Sequence, residues 1–183
     1  MGKNGRYIIT SIIIFGALTR LIPHPWHVTA TGAIALLGGA LFKDKKWALM
    51  VPIISLFVSD LILNNLIYSS FSGSFGLFYP GMTFVYSAFL LTVVLGMRIK
   101  KANYGSLFLG SIGSALLFFV ITNFGSWVSM PHLYTRDLSG LMAAYAAGVP
   151  FFGNTLLGNI VFSLTLFGLY QVLVFRMRPQ EAR

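Results

Sequence analysis

The chain has 183 residues, of which 56 % are hydrophobic and only 9 % charged, with a mean hydropathy of +0.80. Soluble domains carry about 25 % charged residues, so this composition excludes a soluble globule and a disordered chain alike and makes lipid the solvent. Zero cysteines exclude disulfides and thiolate chemistry, and a formal charge of +9 whose basic residues sit in short clusters between apolar runs reads as a membrane-orientation signal rather than nucleic-acid binding.

A membrane-spanning helix needs about 20 mostly apolar residues. Apolar runs between charges and Pro/Gly punctuation predict six, at roughly 7–22, 29–42, 47–66, 80–97, 104–129 and 150–175. The expectation is an all-α polytopic membrane protein, a six-transmembrane-helix bundle forming one integral membrane domain over residues 1–183. Lys3, Arg6 and the stretch Tyr7–Leu18 also fit a signal peptide, with Val28-Thr29-Ala30 as a poor cleavage site. The second run is short and built from small residues, which suits a helix packed among others. Residues 138–149, ahead of the sixth span, read as a separate short amphipathic helix. Eleven of the 13 basic residues flank the runs on one side, leaving Arg20 and Arg136 on the other. The positive-inside rule then puts both termini in the cytoplasm, as an even number of spans requires.

At about 1.5 Å of rise per residue, Arg20 lies about 20 Å out from the cytoplasmic boundary, Asp60 about 21 Å and Asn159 about 25 Å. Asn123, Asn154, Asn64 and Asn65 fall nearer the outer surface. An ionisable side chain at mid-bilayer costs about 2.5–3.5 kcal/mol on insertion scales, so Arg20 and Asp60 are the expected pair. The alternative is that Arg20 snorkels to the headgroups while Asp60 bonds a neighbouring helix. Asparagines also serve as interhelical bonds worth about 0.6 kcal/mol each, but glue has no reason to prefer one leaflet, whereas an outward-facing polar chamber does.

The outer loops are rich in aromatics and poor in charge. His24 and Trp26 lie between spans one and two, Tyr68 and Tyr79 in the uncharged segment between spans three and four, and Trp127 near the last outer loop. Such rings stack on flat ligands, although Trp and Tyr also gather at membrane interfaces without any such role. The candidate ligand-binding set is therefore Arg20, His24, Trp26, Asp60, Asn64, Tyr68, Tyr79, Asn123, Trp127, Asn154 and Asn159.

No metal site, cofactor or catalytic role is expected. His24 and His27 lack a second spaced pair of ligands. Ser59, Asp60 and His24 or His132 lack the glycine pattern of a nucleophile elbow, and no nucleotide-binding motif occurs. Small residues at four-residue spacing, Thr31, Ala35 and Gly39 on one helix and Ser106, Gly110 and Ser114 on another, make flat faces for close packing within the bundle or for docking a partner subunit.

Arg20-Leu21-Ile22-Pro23-His24-Pro25, Gly38-Gly39-Ala40, Val51-Pro52, Ser59-Asp60-Leu61, Ile121-Thr122-Asn123-Phe124-Gly125 and the segment Pro150–Asn159 resemble a family of bacterial six-span membrane proteins of uncharacterised function, over nearly the whole chain. That family is in turn similar to the substrate-binding S-components of energy-coupling factor (ECF) transporters. The resemblance implies capture of a small water-soluble nutrient such as a vitamin at the outer face of the bacterial cytoplasmic (inner) membrane, with uptake driven by a membrane coupling subunit and its ATPases. S-components carry two alanines four apart on the first helix for that subunit, whereas here the first helix has Gly16 and Ala17 and the small stripe lies on the second. The alternative function is a structural or assembly subunit of a larger membrane complex.

Overall fold

The computed structural model describes residues 3–21, 28–67 and 76–176, which are helical with no strand among them. Helix α1 (Lys3–Leu18) tightens into a 3-10 turn (Thr19–Leu21); α2 covers Thr31–Leu41; α3 (Lys45–Ile62) relaxes into a π-helical turn (Leu63–Ile67); α4 covers Met82–Met97, α5 Tyr104–Ser129 and α6 Leu138–Arg176.

Local chemistry sets several of these boundaries. Asp44 caps α3 by accepting the Lys46 N–H at 2.9 Å. Asn103 and Ser106 form a reciprocal capping box on α5, at 2.9 and 3.0 Å. Gly81 precedes α4 with φ of 81°, a left-handed turn that glycine adopts without a Cβ clash.

Helix α2 is the hub. It touches each of the other five helices, and every residue from Thr31 to Gly39 is buried. Its eleven residues extend only about 16 Å, roughly half the hydrocarbon core of a bilayer. Its closest neighbour is α4: a Cβ on Gly39 would strike the Val93 carbonyl oxygen, and one on Gly96 the Leu36 carbonyl oxygen. The two backbones are therefore in direct contact, which only small residues permit.

Helices α5 and α6 form an antiparallel hairpin. The Tyr104 ring packs edge-on against Phe167 at 5.3 Å, and Phe119 lies against both Tyr145 (5.7 Å) and Phe152 (5.2 Å). One boundary here differs from expectation. Residues 138–149 are not a separate short helix; they are the first three turns of α6, which runs unbroken through Pro150. The proline removes one backbone donor, but these turns are held along α5 by the two ring contacts and by the Tyr145 hydroxyl donating to the Val120 carbonyl at 2.8 Å. At 39 residues α6 is about 58 Å long, well beyond the bilayer core of about 30 Å.

Polar and apolar residues are distributed as in a protein dissolved in lipid. Ser59, Asp60, Thr92, Ser111, Ser114, Asn159 and Ser163 are buried, while Met50, Ile54 and Val58 on α3 and Leu109, Leu116 and Val120 on α5 are exposed. Three helical stretches, Lys45–Leu66, Tyr104–Ser129 and Leu138–Arg176, are long and apolar enough to cross a membrane; Thr31–Leu41 and Met82–Met97 are apolar but shorter. The basic residues gather at one end. Arg6 lies over the Trp47 ring at 5.8 Å, joining the starts of α1 and α3. The Gly39–Gly96 contact and the Tyr104–Phe167 pair bring the ends of α2, α4 and α6 to the start of α5.

Candidate functional site

Near the other end, the 3-10 turn after α1 brings Arg20 onto α3. The turn is tied by the Thr19 hydroxyl donating to the Gly16 carbonyl at 2.6 Å. Arg20 Nη2 meets Asp60 Oδ1 at 2.7 Å, with the two side chains 16 % and 8 % exposed. Arg20 Nη1 donates to Ser59 Oγ, which donates in turn to the Leu56 carbonyl at 2.8 Å. The second oxygen of Asp60 accepts from the Tyr86 hydroxyl at 2.9 Å and the Tyr79 hydroxyl at 3.3 Å. The carboxylate thus has partners on both oxygens, and the guanidinium is neutralised while still lining the space beside it. That is the arrangement a charged pair needs in a low-dielectric interior.

That space is a hollow of about 160 Å³. Its polar wall comprises Arg20, Thr29, Thr31, Thr92, Ser114, Thr155 and Asn159; Val85, Phe89 and Phe118 form the apolar side. Asn159 is held from two directions. Its Nδ2 donates to Ser114 Oγ at 2.9 Å, and its amide lies so close over Gly32 that a Cβ there would overlap it. The amino end of α2 opens here, with Ala30 at the cap position and no side chain satisfying the first turn, so backbone donors join the Arg20 guanidinium.

A second hollow of about 370 Å³ shares Val85, Phe118 and Thr155 with the first and extends between α5 and α6 past Thr122, Asn123, Ser126, Tyr134 and Gly148. Asn123 donates to the Phe119 carbonyl at 2.7 Å and lies against Gly148. The second hollow falls within the size usual for small-molecule sites, about 300–1,000 Å³, and the first is smaller.

Arg20 and Asn159 therefore share one wall, with Asp60 directly behind Arg20, and Asn123 lines the adjoining space. Tyr79 is tied to Asp60. Asn64 and Asn154 line neither hollow. The neighbour of Asn64, Asn65, makes the contacts of that turn: it donates to the Leu61 and Gly76 carbonyls, both at 3.0 Å, and accepts the Gly76 N–H at 2.8 Å. His24, Trp26 and Tyr68 lie outside the described residues.

Trp127 also belongs elsewhere. Its indole donates to the Thr135 carbonyl at 2.8 Å, and Arg136 stacks on its ring at 5.7 Å while bonding the Trp127 and Val128 carbonyls. This knot closes the α5–α6 turn. Asp137 completes it by accepting from the Gly140 N–H at 2.8 Å and the Thr135 hydroxyl at 2.7 Å. These bonds, the Gly140 amide first, hold the Asp137 carboxyl below its ordinary range. A lowered carboxyl stabilises the folded turn above the unfolded value of about 3.9 and loses that effect as pH falls through its lower folded value. Hydrogen exchange at the Gly140 amide, corrected for the intrinsic rate, is expected to speed up as pH is lowered through that window. In Asp137→Asn this pH dependence is expected to vanish.

The two small-residue stripes face inward except at Ser106, which is half-buried. Thr31, Ala35 and Gly39 are all buried; Gly110 lies against Leu36 and Ile99, Ser114 bonds Asn159, and Ser106 belongs to the capping box of α5. Partner docking on these faces would require the bundle to open. Sequence reasoning did not single out Tyr86 or the threonines at 29, 92 and 155. A tyrosine on an otherwise apolar helix was the available signal for Tyr86; the threonines carry none, since a hydroxyl in a membrane helix normally bonds its own backbone.

This arrangement defines an all-helical protein of membrane type with a polar hollow built around a neutralised arginine. The chain belongs to a family of unknown function (DUF6580), which it matches over residues 3–181. No curated protein and no solved structure matches the chain.

Proposed function

We propose that this protein is a solute-binding membrane protein of six spans, with both termini in the cytoplasm, which captures a small water-soluble nutrient such as a vitamin from the outer side of the bacterial inner membrane. It would act in the manner of an S-component, handing its ligand on through a coupling subunit powered by ATPases. The observation that carries this reading is the shared hollow, where polar groups from the turn after α1 and from α2, α4, α5 and α6 converge. Interhelical glue needs contacts, not a hollow with hydroxyls and an amide in its wall. The neutralised Arg20 offers donors without a net positive charge, so hydrogen-bond acceptors on the solute find partners there, and Phe89 and Phe118 receive its apolar part. Against the rival reading as an assembly subunit stands the burial of Thr31, Ala35, Gly39, Gly110 and Ser114 within the chain.

The test is a panel of radiolabelled vitamins against the purified protein, with mass spectrometry of co-purified small molecules. One member is expected to bind saturably. Thr155→Val, which keeps the shape and removes a hydroxyl from the wall, is expected to weaken that binding by about 5- to 10-fold, the equivalent of one hydrogen bond. Absence of binding by every member to folded protein would overturn the proposal.

A further inference from the structure

The basic end of the bundle carries a feature that solute capture does not use. A groove of about 500 Å³ runs between the end of α2, the start of α5 and the last turns of α6, lined by Leu41, Ala102, Phe167, Tyr170, Gln171, Val174 and Phe175. Phe167, Val174 and Phe175 give it an apolar part beside the polar Tyr170 and Gln171, and Phe175 is 75 % exposed. Basic residues flank its lining in the chain: Lys43 follows Leu41 by two residues, Lys101 adjoins Ala102, and Lys43 lies near enough to Tyr170 to act on it electrostatically. Lys45, Lys46, Arg98, Lys100 and Arg176 add to this field, and Asp44 is the one acidic residue among the described residues at this end.

We propose that this groove is a binding site for an anionic phospholipid, with the phosphate between Lys43 and Lys101 and an acyl chain along Phe167, Val174 and Phe175. The two halves of the groove demand an amphiphile. A zwitterionic lipid would leave the flanking basic residues unmatched, and a free phosphate would leave the apolar part exposed. The chain's own last residues hold more basic than acidic side chains, Arg178 and Arg183 against Glu181. Tyr170 and Gln171 supply neutral hydrogen-bonding groups between head and tail. Basic pockets between membrane helices are suited to anionic headgroups, each lysine near the surface being worth about 1 kcal/mol.

The test uses the full chain reconstituted with mixed phosphatidylcholine and phosphatidylglycerol, released into detergent and examined by native mass spectrometry. Phosphatidylglycerol is expected to stay bound in preference to phosphatidylcholine. The double variant Lys43→Gln/Lys101→Gln is expected to lose that preference by about fivefold per lysine, whereas Lys45→Gln/Lys46→Gln, the same charge change at lysines one turn further along the chain, is expected to lose clearly less. Val174→Trp, which fills the apolar part, is expected to lose the adduct with the lysines intact. Equal retention of the two lipids, equal loss in both double variants, or a spectrum of dimers without lipid would overturn the proposal. None of these outcomes depends on whether the outer hollow binds a solute.

Discussion

Arg20→Ala is expected to destabilise the protein by about 3–5 kcal/mol, the cost of leaving one member of a buried ion pair without its partner. Asp60 is 8 % exposed on its side chain, so its carboxylate would keep the two tyrosine hydroxyls but lose the one ion pair it makes among the described residues. Asp60→Ala is expected to cost a similar amount, because it strands the guanidinium and removes the acceptor of Tyr79 and Tyr86. The double variant Arg20→Leu/Asp60→Leu is expected to recover a large part of the loss, since two apolar side chains replace a charged pair with little or no penalty. Arg20→Lys is expected to fall between, retaining the charge but not the fork that serves Ser59 and Asp60 together. Thermal unfolding in detergent reads all four, and Arg20→Ala/Asp60→Ala closes the double-mutant cycle with the two single alanine variants. Additive single losses would show that the pair is not coupled.

The second large effect lies at the α2–α4 contact. Gly39→Ala is expected to destabilise by at least the usual overpacking cost of about 1–3 kcal/mol, because the new methyl meets backbone atoms of Val93, Met97 and Gly96 and no rotamer change relieves it. Gly96→Ala makes the same clash from the other side, against Leu36, Ala40 and Gly39. Either methyl separates the same two backbones, so the double variant is expected to cost clearly less than the sum of the singles. Gly153→Ala is the control, since nothing lies within 4 Å of a Cβ built there. Equal behaviour of Gly39→Ala and Gly153→Ala in thermal unfolding would refute the close approach.

Most helix positions were legible in the chain. The fifth run coincides with α5, and α2, α3 and α4 differ from their runs by a residue or two at most ends, because charges and caps punctuate apolar segments sharply. Helix α6 was legible as two helices, 138–149 and 150–175, but not as one. Pro150 has the local signature of a helix start, and the contacts that carry the helix through it come from Phe119 and Val120, about thirty residues earlier. The site was legible where a residue is costly in lipid: a buried arginine and aspartate demand each other, and the two meet. Aromatics and asparagines are cheap by comparison and serve several ends, so Trp127 and Tyr79, read as ligand contacts, are engaged in a turn and with Asp60, and Asn65 rather than Asn64 makes the contacts of its turn.

Composition and the spacing of charges by themselves determined the apolar helical class and the grouping of basic residues at one end, and they offered the pairing of Arg20 with Asp60 beside a snorkelling alternative, since each follows from the free energy of placing a given group in hydrocarbon. Only the tertiary structure decided that a half-length helix stands at the centre, that both small-residue stripes close upon this chain and not upon a partner, and that threonines from separate helices face one hollow. Those features depend on which helix faces which, a choice made by packing between segments far apart in sequence, and local periodicity carries no record of it.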